Sequence, residues 1–155
     1  MPALVGIKRL AFKLAARALH LYWFAFRPST SGVTCIIRDA AGKVLMVRHT
    51  YGRPAWTFPG GGTKRHETSE ATVRREIREE VGLELTDLRQ IGSFLNSVDF
   101  KRDHVTVFAA RPASAALNLR LEEIAEARWV DVNQLPSPTA PVATRSLALW
   151  LERER

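Results

Sequence analysis

The chain has 155 residues, 46% of them hydrophobic, and a formal net charge of +7. This length and composition predict one globular domain with a buried core, and they exclude an intrinsically disordered chain. Cys35 is the only cysteine, so an intramolecular disulfide is excluded and a reducing, cytoplasmic location is expected.

Residues 1–30 are predicted to form a basic amphipathic helix ahead of the main domain. Four of its basic side chains share an arc of about 80° on a helical wheel: Arg9, Lys13, Arg17 and His20. These charges interrupt the apolar sequence too often for a transmembrane span, which needs about 20 mostly apolar residues. Three roles stay open for this helix: docking on the domain or across a homodimer, peripheral contact of residues 3–26 with a membrane, and targeting.

The remaining sequence predicts an α/β fold with five strands and two more helices. Strand-like apolar segments cover residues 33–38, 43–49, 88–98, 104–110 and 127–132, and the first of them holds Cys35 as a buried, inert thiol. A helix is expected over residues 69–81. Thr68 or Ser69 would be its N-cap and Gly82 its C-terminal stop, and its core face repeats through Val73, Ile77 and Val81. A final amphipathic helix is expected over residues 141–153.

A glycine-rich segment, PGGGTKRHE, lies just ahead of helix 69–81. Glycine lets the backbone approach another group closely, which suits a loop beside a phosphate group. An ordinary strand-to-helix turn is the alternative interpretation of the same residues.

Three glutamates crowd one side of the helix, although the chain as a whole is basic. At 100° per residue, Glu76, Glu79 and Glu80 share one narrow arc. The i,i+3 and i,i+4 spacings offer Arg75 as a partner for Glu79, but they offer no basic partner for the other two. The like-charge pair Glu76–Glu80 costs roughly 0.2–0.5 kcal/mol, which a bound cation would offset. The alternative is a surface of ion pairs. However, carboxylates without histidine or cysteine are hard oxygen ligands, which suit Mg²⁺ or Mn²⁺.

Together, the glycine segment and the acidic helix resemble the Nudix box, G-x5-E-x7-R-E-U-x-E-E-x-G-U, in which U is aliphatic. The match covers every defined position of residues 61–83: Gly61, Glu67, Arg75, Glu76, Ile77, Glu79, Glu80, Gly82 and Leu83. The segments WTFPGG and EARWVDVNQLP also resemble the family. The resemblance implies the Nudix fold, a mixed β-sheet between α-helices, over residues 31–155, with residues 1–30 as an extension.

The resemblance also implies a metal-dependent hydrolase. Such an enzyme cleaves the pyrophosphate linkage of a nucleoside diphosphate linked to a group X, by attack of water on phosphorus. The metal, Mg²⁺ or Mn²⁺, would be held by Gly61, Glu76, Glu79, Glu80 and one later acidic residue, with Glu123 preferred over Glu122 and Glu126. The catalytic residues would be Glu76, Glu79, Glu80 and Arg75, with Arg75 pairing with Glu67 or Glu79. The substrate would contact Gly60, Gly61, Gly62 and Glu67.

The partner implied by this resemblance is a small-molecule nucleotide or another pyrophosphate compound. A nucleic-acid partner is not expected, because the basic residues are dispersed and no DNA- or RNA-binding motif is present. Candidates for stacking on a base are Trp56, Phe94, Phe100 and Phe108, although core packing is the commoner role of such residues. His66 replaces a glycine that many members have, with an expected effect on substrate preference or on the turn. The alternative function is a catalytically weak nucleotide-binding or membrane-peripheral module on the same fold.

Overall fold

The computed structural model describes residues 2–97 and 102–155. Within these residues the elements in chain order are α1 (Pro2–Phe26), β1 (Ser29–Ile37), β2 (Val44–His49), β3 (Trp56–Thr57), β4 (Gly60–Gly62), α2 (Ser69–Val81), β5 (Leu85–Asn96), β6 (Arg102–Pro112), β7 (Ile124–Val130) and α3 (Pro141–Arg153). The two helices predicted over residues 69–81 and 141–153 are confirmed as α2 and α3. The predicted strands are present as β1, β2, β5, β6 and β7 with shifted ends; the predicted end of β5, Val98, lies outside the described residues.

The strands form two sheets. One has the order β4-β1-β6-β5 and is mixed, because β1 and β6 run parallel while the two outer pairs are antiparallel. The other has the order β3-β2-β7 and is antiparallel throughout. This arrangement confirms the predicted α/β fold with a mixed sheet.

Two apolar cores lie on opposite faces of β1 and explain where the helices pack. Successive strand side chains point to opposite faces, so Val33, Cys35 and Ile37 reach one core and Ile36 the other. The first core is closed by α2 through its predicted core face, which is fully buried. The second is closed by α3, chiefly through Trp150. Cys35 is buried as predicted, and burial raises the pKa of its thiol.

The glycine-rich segment forms a strand where the sequence predicts only a loop or turn. Gly60–Gly62 is β4, which pairs antiparallel with β1 and places Gly61 opposite Val33. The prediction was wrong for these residues because glycine has low strand propensity, and only the neighbouring strand supplies the pairing. The short β3 was missed for a similar reason, since its pairing with β2 arises from the tertiary fold.

Both ends of α2 carry predicted caps. The hydroxyl of Thr68 accepts a hydrogen bond from the Ala71 N–H at 3.1 Å, so Thr68 rather than Ser69 is the N-cap. Gly82 ends the helix in the left-handed region, with φ at 71°, and its N–H donates to the Arg78 carbonyl. The caps fix the length of α2 and therefore the position of its acidic residues beside β4.

The turn before α2 holds His66 in the left-handed region, with φ at 66°. Glycine adopts this conformation freely, whereas a residue with a Cβ is strained there. Histidine in place of glycine at position 66 therefore strains the turn. An effect on the turn was one of the two effects expected from the sequence.

We expect His66→Gly to raise the free energy of unfolding by about 0.5 kcal/mol. Relief of the strained φ should exceed the extra entropy that glycine gives the unfolded chain. His66→Val should lower it by about 1 kcal/mol, because a β-branched residue tolerates this region poorly. Urea unfolding measures both changes, and equal midpoints for the two variants would contradict the account.

α1 lies against the domain along one narrow stripe. Its partly buried residues recur at helical spacing and are Val5, Arg9, Phe12, Ala16 and Trp23. Lys8 pairs with Glu122 at 3.1 Å, Arg9 donates to the Leu121 carbonyl at 2.9 Å, and Phe12 stacks on Tyr51. Of the roles left open for α1, docking on the domain is therefore observed. In residues 2–97 and 102–155, α1 included, no helix has the length and apolar character needed to cross a membrane.

Candidate active site

Arg75 is the centre of a charged hydrogen-bond network beside β4. It donates to both oxygens of Glu67, from Nε to Oε1 at 2.7 Å and from Nη2 to Oε2 at 2.9 Å. Glu67 also accepts hydrogen bonds from the Lys64 N–H and the Thr72 hydroxyl. These bonds, the one from Arg75 foremost, lower the pKa of Glu67 to about 2. Glu67 is thus placed to anchor Arg75 and the turn before α2, and its contact with substrate stays a prediction.

Arg75 also reaches Glu76, contrary to the prediction that Glu76 has no basic partner. The guanidinium donates from Nη1 to Glu76 Oε1 at 2.6 Å, whereas Glu79, the partner predicted from the spacing, lies at 3.4 Å. Adjacent helix residues diverge, so the spacing argument excluded this pair. The pair forms because Glu67, outside the helix, holds the long Arg75 side chain in place.

The carboxylate of Glu76 lies directly over the backbone of Gly61. A Cβ built on Gly61 would come within 2.4 Å of the Glu76 Cδ atom. Glycine leaves the space that this approach needs. β4 and α2 therefore bring the first glycine of the box and its second glutamate into one site.

Glu80 is buried, and it is held by groups outside α2. His49 donates from Nε2 to Glu80 Oε1 at 3.0 Å, and the Gly60 N–H donates to Oε2 at 3.2 Å. Burial favours the neutral imidazole, but the hydrogen bond and the charge of Glu80 prevail and raise the pKa of His49. His49 lies outside α2, so the helical spacing could not reveal it as a partner of Glu80.

Glu123 is the residue of the later acidic segment that faces the box glutamates. Burial raises the pKa of its carboxyl; Arg120, at 2.9 Å, opposes this change, and the charge of Glu80 adds to it. The other two candidates have basic partners elsewhere: Glu122 pairs with Lys8, and Glu126 pairs with Arg48 and Arg128.

The chemistry of this donor set fits a divalent cation, although the carboxylates do not form a finished cage. Burial raises the pKa of Glu76, and the charges of Glu80 and Glu79 add to this effect against the pull of Arg75. Crowded carboxylates of this kind are stabilised by a cation and are hard oxygen ligands for Mg²⁺ or Mn²⁺. Within the described residues, no three acidic, histidine or cysteine side chains converge as a ready metal site. Arg75 and Arg120 occupy the carboxylates of Glu76 and Glu123 in this structure.

A cavity of about 640 Å³ runs along β4 and the first half of β1. Its wall includes His49 and the β4 glycines, the basic residues Lys64 and Arg65, and Trp23 of α1. Among the predicted stacking candidates, Trp56 and Phe108 are buried in the cores and Phe94 packs at the edge of one, while Phe100 lies outside the described residues.

A family model of the NUDIX domain matches residues 28–151, which is most of the chain. The chain belongs to the NUDIX domain family. This assignment confirms the predicted fold and the predicted membership of the Nudix family.

Curated and solved Nudix proteins are similar to this chain to different extents. An RNA pyrophosphohydrolase from Teredinibacter turnerae is 44% identical over 63 residues, which are 41% of this chain and 35% of the relative. The chain thus spans well under half the length of that relative. The MutT protein from Methanosarcina mazei Go1 is 27% identical, with a TM-score of 0.67 over 83% of this chain and 96% of that one. The NUDIX domain of Shewanella oneidensis NrtR, solved with ADP ribose, is 20% identical, with a TM-score of 0.71 over 84% and 92% of the chains.

Sequence reasoning missed three residues that surround the Nudix box: His49, Arg120 and Trp23. His49 ends a predicted strand, Arg120 lies in the acidic segment, and Trp23 lies in the helix assigned to the extension. The motif carries no signal for them, because their nearness to the box arises from the pairing of strands and the docking of α1.

Proposed function

We propose that this Nudix protein is a divalent-metal-dependent pyrophosphohydrolase of a nucleoside diphosphate linked to a group X. The observation that carries the proposal is the contact of two box carboxylates with β4: Glu76 lies over Gly61, and Glu80 accepts a hydrogen bond from the Gly60 N–H. The alternative, a catalytically weak binding module, is less well supported because each box carboxylate is present. The division into an extension of residues 1–30 and a domain of residues 31–155 is part of the same proposal, although β1 begins at Ser29.

In this proposal, Mg²⁺ or Mn²⁺ is held by Gly61, Glu76, Glu79, Glu80 and Glu123. The bound ion would neutralise phosphate oxygens and lower the pKa of a bound water. Arg75, fixed by Glu67, positions the Glu76 carboxylate over Gly61. His49 and the Gly60 N–H keep Glu80 oriented. Glu76 and Glu80 are the candidates to accept the proton of the attacking water.

The cavity along β4 is the proposed substrate cleft. The β4 backbone, Gly60 to Gly62, would lie along the pyrophosphate, with Lys64 and Arg65 nearby to attract a polyanion. RNA with a 5′-triphosphate is a second candidate substrate, since the Teredinibacter turnerae relative is named for RNA. The net charge of +7 suits either substrate.

The test is a substrate panel, with phosphate release measured after coupling to a phosphatase. The panel contains ADP-ribose, a nucleotide sugar, a dinucleoside polyphosphate, nucleoside triphosphates and a 5′-triphosphate RNA. We expect turnover that requires Mg²⁺ or Mn²⁺, stops with EDTA and returns when the metal is restored. Turnover of RNA alone would select the second candidate. Nucleotide binding without turnover of any substrate would favour the binding module.

We expect Trp23→Ala to raise the KM for the preferred nucleotide about tenfold, with little change in kcat. A base stacked on an aromatic side chain contributes about 1–3 kcal/mol to binding, and about 1.4 kcal/mol is a factor of ten. Trp23→Phe keeps a ring in the cavity and should restore most of the affinity. Steady-state kinetics of the two variants measure this split. An equal loss in both, or a loss in kcat alone, would show that Trp23 acts by docking α1 and not by stacking.

A further inference from the structure

We propose that α1 attaches the domain to the surface of an anionic lipid bilayer, by a face that its docking leaves exposed. The proposal concerns the face of α1 that points away from the domain, and it holds whether or not the chain turns over a pyrophosphate substrate. It rests on three features: the two opposite faces of α1, the charges that border the outer face, and a cleft beside those charges.

The docked face of α1 is set by the stripe that includes Val5, Phe12, Ala16 and Trp23. On a helical wheel these four residues fall within about 40° of one another. Lys8 and Arg9 add polar contacts to the loop at residues 121–122. The helix therefore has a fixed orientation on the domain, and its opposite face has a defined direction.

That opposite face is apolar and open to solvent. It consists of Ile7, Leu10, Leu14 and Leu21, which are 66%, 58%, 55% and 69% exposed. They span an arc of about 60°, centred roughly opposite the docked stripe. Large apolar side chains aligned in this way are costly in water and mark a surface that another apolar phase covers.

Basic residues border the apolar stripe on one side. Lys13 and Arg17 are exposed on α1, and no acidic residue precedes Asp39 in the sequence. A cleft of about 730 Å³ opens next to them, between α1 and residues 50–54. A lipid phosphate could enter this cleft beside both cations while the leucines enter the acyl region.

The charges favour a bilayer over a second copy of this chain. In a symmetric pair of α1 helices, Lys13 and Arg17 of both copies would flank one seam, and the helix has no acidic side chain to offset them. An anionic lipid surface instead attracts each cation. The absence of a span-forming helix among the described residues agrees with a helix that lies in the interface plane.

The experiment is co-sedimentation of the full chain with phosphatidylcholine vesicles that contain or lack phosphatidylglycerol. We expect binding to the anionic vesicles that weakens as salt is raised, and little binding to the neutral ones. Leu14→Glu should lower the vesicle affinity at least about tenfold, because it places a charge in the apolar stripe. Lys13→Gln combined with Arg17→Gln should lower it about tenfold or more on anionic vesicles alone.

Leu151→Glu is the matched control, since Leu151 is an exposed leucine of α3, and it should bind vesicles like the wild type. Circular dichroism checks that each variant is folded, and light scattering reports the oligomeric state. Three results would overturn the proposal: no vesicle binding by the wild type, equal loss in the Leu151→Glu variant, or a wild-type dimer that Leu14→Glu converts to a monomer without any vesicle binding. The last result would assign the stripe to a second copy.

Discussion

Replacing Glu79 with Gln is expected to lower kcat about 10³-fold while the protein stays folded. A carboxylate that holds a catalytic cation contributes several kcal/mol to stabilising the transition state, and about 4 kcal/mol corresponds to this factor. Glu79 is the cleanest of the box glutamates to test, because its side chain is 40% exposed and its contacts with Arg75 and Arg120 are long, at 3.4 and 3.9 Å. Exposed ion pairs of this kind contribute little to stability.

The matched control for Glu79 is Glu70→Gln on the same helix. Glu70 is an exposed glutamate paired with Arg74, so its substitution removes the same charge from the side of α2 opposite Glu79. The rates of both variants with Mg²⁺ and with Mn²⁺, and the thermal midpoint of each, separate catalysis from folding. If Glu79→Gln retains wild-type turnover, or if both variants lose it equally, the assignment of the metal to the box carboxylates is wrong.

Replacing Gly61 with Ala is expected to lower kcat about 10²-fold, through displacement of Glu76. The new methyl group would stand 2.4 Å from the Glu76 Cδ atom, so the carboxylate has to move away from β4. A misplacement of about 1 Å in a catalytic group can cost this factor. Because the clashing atom is the end of a flexible side chain, the free energy of unfolding should change little.

Gly62→Ala is the control for this experiment, because a Cβ at Gly62 meets no atom within 4 Å. Gly62 lines the proposed substrate cleft, so its variant should change KM, while its kcat at saturating substrate stays within a few-fold of the wild type. Kinetics at saturating metal, together with urea unfolding, distinguish a displaced catalytic group from a destabilised strand. Equal activity in the Gly61 and Gly62 variants would contradict the proposed contact between β4 and Glu76.

Local signals in the sequence predict α2 almost completely. Its start at Ser69, its cap at Thr68 and its end at Gly82 follow from capping chemistry, which involves residues only a few positions apart. The apolar spacing of Val73, Ile77 and Val81 also predicts the buried face, because a 3.6-residue period needs no knowledge of the partner surface. The same is true of α3 over residues 141–153.

The partners of the glutamates could not be predicted in this way. Helical spacing predicts only contacts within α2. Glu76 is held by Arg75, which Glu67 fixes from outside the helix, and Glu80 is held by His49 at the end of β2. Their distances in sequence are set by how strands pair and not by any local period. The strand β4 could not be predicted for the same reason, because three glycines form a strand only when β1 lies alongside to pair with them.

The sequence by itself determined the family, the acidic inventory of the box and the ends of α2, because these depend on residue identity at fixed spacing. The tertiary structure alone decided that Glu76 lies over Gly61, that Glu67 holds Arg75, and that α1 docks by one face and exposes the other. The physical reason is the range of the interactions. Capping and helical periodicity act over one or two turns, whereas strand pairing, side-chain burial and charge contacts join residues that are distant in the chain.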